Sequence, residues 1–179
     1  MTEDHQSSPS TPAKPQVSQD QFSDPRFSRV VMILTYIVGA IGLGVGNFTV
    51  AKTPADLTLA CLLAVGGVGI LSFVRHSLLH RSDAARMGWD YGKRNNFQIE
   101  VGLANLAWGV VAILAVILNW GLTIESGLFL VEGVYMGSVA IMAIVSPGGQ
   151  RRDLGGIVAI AAFGAVLLYE GIVGMSAAT

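Results

Sequence analysis

Two glutamates, Glu125 and Glu132, stand seven residues apart in the apolar stretch ESGLFLVEGVYMG, and no Lys or Arg occurs from Leu122 to Ser146. On a helix that separation is close to two turns, so both carboxyls share one face roughly 10 Å apart. An acid in apolar surroundings without a cationic partner is uncharged, hydrated or met by a cation. The chemistry open to it is proton or cation exchange, or a structural hydrogen bond between helices. Glu170 and Tyr169, near the end of a later apolar run, and Asn47, near the end of the first, fall at similar depth. Glu132, Glu170, Glu125, Asn47 and Tyr169 therefore form one candidate proton or cation site.

A second polar set lies on the other side of the chain's apolar runs. His76 and His80 are spaced i, i+4, which places two imidazoles on one helix face in a geometry that suits a shared metal. Two ligands are too few. A third would have to come from Asp83, Asp90 or Glu100, while Arg75 and Arg81 add repulsive charge. No metal and no cofactor is therefore expected. Gln98, Glu100 and Asn105 on the following run extend this set, and amides at such positions serve as hydrogen-bonding glue between helices.

The elements that must hold these residues follow from composition. Only 13% of positions are charged and 52% are hydrophobic, against about 25% charged in a typical soluble domain. The 22 glycines concentrate in the apolar runs, where membrane helices tolerate them. Five runs approach the roughly 20 residues needed to cross a hydrocarbon core: 30–50, 57–74, 97–118, 122–145 and 155–175. Backbone groups in lipid must be satisfied internally, so the expected fold is all-α, a polytopic transmembrane helix bundle. Pro54 and Asp56 signal the start of the second helix, and SPGG at 146–149 the end of the fourth. Residues 1–29, rich in Ser, Thr, Pro and Gln, read as a disordered cytoplasmic tail, leaving 30–179 as one transmembrane domain. The tail is not a signal peptide, because no basic start runs directly into an apolar core.

With five spans, ten of the eleven Lys and Arg residues fall on one side, and Lys52 alone on the other. The excess marks the cytoplasmic side, so the N-terminus is expected inside and the C-terminus outside. The short turn at 119–121 makes the third and fourth spans antiparallel neighbours. Gly42 with Gly46, and Gly133 with Gly137, form GxxxG pairs for close helix contact, within the chain or between copies. Cys61, the only cysteine, lies in an apolar run and reads as a small core residue. No internal repeat points to an inverted-repeat transporter.

The RH pair at Arg75 and His76, Trp89, and FQIEVGLANLAWG at Phe97 to Gly109 resemble a family of small bacterial integral membrane proteins of no established function. The resemblance covers the second and third spans and their connection, and it implies a membrane location without implying an activity.

No nucleophile and base pair, phosphate loop or CxxC set is present, so an enzyme is not expected. The leading reading is a small protein of the bacterial plasma membrane, a structural or accessory component with a buried acidic cluster. A proton- or cation-coupled transporter or channel using Glu132 is the alternative. A redox or lipid-processing subunit using His76, His80 and Glu100 is the third. The expected partners are the lipid bilayer, with anionic headgroups at the basic 75–96 connection where Trp89 and Tyr91 add an aromatic belt, and further copies or a larger membrane complex. Nucleic acid is not among them.

Overall fold

The computed structural model describes residues 23–88, 92–145 and 154–179. Most of the expected tail, the SPGG stop, Trp89, Tyr91 and the arginines at 151–152 lie outside them. Five helices are long and apolar enough to cross a membrane: α1 Arg26–Thr49, α2 Thr58–Leu78, α4 Asn96–Ile117, α5 Leu122–Val145 and α6 Leu154–Ala177. A short helix, α3 His80–Arg86, follows α2. The expected spans thus recur with small shifts at their ends. α1 begins four residues earlier and takes in residues 26–29, and α2 runs on through Leu78 to carry Arg75 and His76.

α2 is the central helix. Of its most apolar stretch 44% is buried, against 22–28% for the other four, because α1, α4 and α5 all pack on it. α5 and α6 form the most extensive pair, and α6 also touches α1. α4 and α5 are antiparallel and in contact as expected, but they meet only briefly, so the main neighbour of α5 is α6. Their turn is a Schellman arrangement: the Trp120 N–H reaches the Ala115 carbonyl at 2.9 Å, and the Asn119 N–H reaches Val116 at 3.2 Å. Asn119, at φ 49°, takes the left-handed position that this cap requires.

α2 is irregular in two places. Across Cys61–Gly67 and Val74–Leu78 the helix widens to i→i+5 bonding, as in the Leu79 N–H bond to the Val74 carbonyl at 2.9 Å. Wide turns of this kind often accompany functional sites. The helix then breaks at Leu79, φ −103° and ψ 25°, and α3 folds back over the end of the bundle. Ser82, Asp83 and Ala84 are buried there. The connection therefore neither continues α2 as a straight helix nor lies apart from the bundle.

Lipid tails are as apolar as Leu, so helix association relies on close packing. A Cβ on Gly42 would lie 2.5 Å from the Ala64 backbone nitrogen, and one on Gly69 2.7 Å from the Gly109 Cα. Gly46 faces α2 and α6, and Gly133 faces Leu168 of α6, so both GxxxG pairs are engaged within the chain. Gly44 on the opposite side of α1 has nothing within 4 Å of its would-be Cβ. Replacing Gly42 by Leu is expected to cost about 3 kcal/mol through overpacking. Gly44→Leu is expected to be close to neutral, and reversible unfolding in detergent measures both.

Candidate functional site

Two polar clusters occupy opposite ends of the bundle. At the end away from the N-terminus of α1, α5 supplies Glu125 and Glu132, and α6 supplies Glu170. Glu132 and Glu170 are fully buried, and Glu125 is 4% exposed. The Thr58 hydroxyl at the start of α2 donates to Glu125. Glu132 and Glu125 lie within electrostatic range of Cys61, a buried free thiol. The Glu170 carboxyl lies against Gly46 of α1, where even a methyl group would collide with its oxygen. All three acids are therefore turned toward α1 and α2, into the bundle. None of the four oxygens of Glu132 and Glu170 has a hydrogen-bond partner among the described residues. The Ser126 hydroxyl, buried one turn of helix from Glu125's end of α5, is also without one.

Asn47 and Tyr169 are not part of this cluster. Tyr169 is 51% exposed and Asn47 is exposed as well, each turned outward. Each adjoins a residue that is inside, Gly46 or Glu170, and a step of one residue turns a helix by about 100°.

At the other end, the organising group is Asp83 on α3, a side chain with no exposed surface. Its Oδ1 accepts from Arg86 at 3.0 Å and has Arg75 Nε at 3.9 Å. Its Oδ2 accepts from Gln98 Nε2 of α4 at 2.6 Å and has His76 Nδ1 of α2 at 3.0 Å. Arg75 Nη2 lies 2.6 Å from His76 Nε2. A guanidinium only donates, so Nε2 is the acceptor and the ring proton sits on Nδ1, directed at Asp83. Burial pushes the Asp83 carboxyl up, but the His76 hydrogen bond and the Arg75 and Arg86 charges outweigh it and hold the group below the usual carboxylate range.

Neighbouring bonds lock the same end. Asn95 caps α4 by accepting from the Gln98 N–H at 3.1 Å. The Ser28 N–H of α1 donates to Ser82 Oγ at 3.1 Å, and Ser82 Oγ donates to the Asp24 carbonyl at 2.6 Å. α1, α2 and α4 are thereby all tied to α3.

The expected grouping of His76, His80, Glu100 and Asn105 is divided. His76 joins Asp83, whereas the His80 Nδ1 lies 3.0 Å from the Ser77 carbonyl beyond the break in α2. The break removes the i, i+4 alignment of the two imidazoles. Glu100 is exposed, and Asn105 is buried with its amide donating to the Val101 carbonyl of its own helix at 2.8 Å. Among the described residues no three His, Cys, Asp or Glu side chains gather as a metal would require. The central role of Asp83 was missed from sequence. The available signal was that it is the one acid between Arg75 and Met87, three residues before Arg86.

Fold and clusters together define an all-α bundle of membrane-spanning dimensions with acids buried at one end. Residues 26–147 match the model of DUF6790, a family of unknown function, and the chain belongs to that family. No curated protein and no solved structure matches the chain. The matched segment ends just after α5, so Glu132 lies inside it and Glu170 beyond it.

Replacing Asp83 by Ala is expected to cost about 3–5 kcal/mol, because Arg75 and Arg86 would face each other without a counter-charge. The Asp83 value is depressed in the folded state, so its contribution is full above the ordinary carboxylate range and lost as pH falls below it. The stability difference between the native chain and Asp83→Ala should therefore shrink on acidification, as followed by unfolding at a series of pH values.

Proposed function

We propose that this chain is a multi-pass protein of the bacterial plasma membrane that handles protons or a small cation through Glu132 and Glu170. Its N-terminus would be inside and its C-terminus outside, with the basic end of the bundle toward the cytoplasm. The observation that carries this reading is the burial of both carboxyls without a hydrogen-bond partner among the described residues. An acid serving only as glue between helices satisfies its oxygens, and an unpaired carboxylate in a low-dielectric interior is costly by several kcal/mol. Exchange of a proton or cation is the function such groups serve. Glu125, held by Thr58 nearer the surface, is placed to pass ions between the deeper acids and water.

The second reading is a structural or accessory membrane component. The backbone contacts at Gly42, Gly69 and Gly133 favour it, since they make a tightly closed bundle. Neither reading includes catalysis, and in both the partners are the bilayer and further membrane subunits.

Purified protein in sealed liposomes, carrying a pH-sensitive dye and challenged with an imposed proton or alkali-cation gradient, separates the two. Under the first reading the native chain dissipates the gradient, and Glu132→Gln or Glu170→Gln reduces the rate at least about tenfold while the unfolding midpoint is kept. Flux no faster than in empty liposomes would sink the transport reading and leave the structural one.

A further inference from the structure

A crevice of about 560 Å³ opens where the wide turn Val74–Leu78 of α2 meets the first turns of α4. Phe73, Leu78 and Leu103 form its apolar part, and His80, Arg81 and Arg94 its polar part. Leu78 and Leu103 are 65% and 52% exposed. The floor is fixed, because Ser77 Oγ donates to the Ile99 carbonyl at 2.9 Å and Gly102 gives Ser77 room to do so. With the His80 Nδ1 directed at the Ser77 carbonyl, Nε2 is the nitrogen left to face a ligand.

Two cationic side chains and an imidazole thus stand at the boundary of the spans, directly beside leucines that face the hydrocarbon. We propose that this crevice is a binding site for an anionic phospholipid, its phosphate at Arg94, Arg81 and His80 and an acyl chain along Leu78 and Leu103. Charge complementarity selects an anionic head, and each basic group near a membrane surface contributes several-fold to such binding. The apolar wall selects a lipid over a free phosphate, which has nothing to gain from leucine. Asp83 does not compete, since it is turned inward to Arg86, Gln98 and His76. Glu100, the acid nearest in sequence to the crevice wall at Ile99, is exposed and is not among the lining residues. The site depends on the membrane embedding and not on proton or cation handling, so either proposal can fail without the other.

The full chain in uncharged detergent, titrated with phosphatidylglycerol, phosphatidylcholine or inorganic phosphate and followed by native mass spectrometry and melting midpoint, tests it. Phosphatidylglycerol is expected to bind about tenfold more tightly than phosphatidylcholine, and phosphate to leave the midpoint unchanged. Arg94→Gln should weaken phosphatidylglycerol about fivefold. Leu103→Trp, at a half-exposed position, should fill the crevice and weaken it similarly without changing the lipid-free midpoint. Equal binding of the two lipids, a phosphate effect matching that of phosphatidylglycerol, or unaltered lipid binding by Leu103→Trp would each overturn the proposal.

Discussion

Direct backbone contact at glycine is the constraint on which the bundle rests. In water, burial of apolar side chains would drive these helices together, but in lipid the same side chains are already satisfied. What remains is contact area, and it is greatest where Cβ atoms are missing. Gly42 brings α1 against Ala64, Gly69 and Gly109 join α2 to α4, and Gly133, Gly164 and Gly171 let α5 and α6 run together. The core is accordingly built of small residues, among them Ala60, Cys61, Ala64 and Ala112, with Phe129 and Leu167 as its large members. The same economy of side-chain volume creates the setting for the acids. Gly46 leaves the space into which the Glu170 carboxyl projects.

The two ends of the molecule treat buried charge in opposite ways. Asp83 is surrounded by donors on three separate helices, and those donors are themselves held in place by Asn95 and by each other. Such a cluster is rigid, because losing any member leaves the rest unbalanced. Glu132 and Glu170 have no such enclosure among the described residues. One end therefore resembles a clasp, while the other has carboxyls whose state is free to change with what reaches them. The division also separates the parts of the chain within the family match from those outside it, since the whole Asp83 cluster lies within residues 26–147 and Glu170 does not.

The spans and the depth of Glu132 were legible in the sequence because hydrocarbon thickness dictates helix length and 1.5 Å per residue converts position to depth. Which way a residue faces was harder. Asn47 and Tyr169 were grouped with the acids by depth alone, and depth carries no rotational information when a span is apolar all round. The glycines would have supplied it: Gly46, Gly171 and Gly174 mark the packed stripes, leaving Asn47 and Tyr169 outside them. Asp83 was illegible for a different reason. Its partners come from three elements, and only the reversal of the chain at Leu79 brings them together. Local spacing suggested instead a His76 and His80 pair, which the widened turn takes apart.

Each wide turn in α2 amounts to one residue more than a regular helix would use over the same length. Seen as an accident of chain length, such a residue is either an insertion that was retained or a position that can be lost. Deleting one residue from Cys61–Gly67 would restore the ordinary bonding there and swing everything that follows by about 100°. Gly69 would leave Gly109, and Arg75 and His76 would no longer point at α3. The length of α2 is thus not interchangeable with that of its neighbours: its residue count sets the angular alignment between the two ends of the molecule.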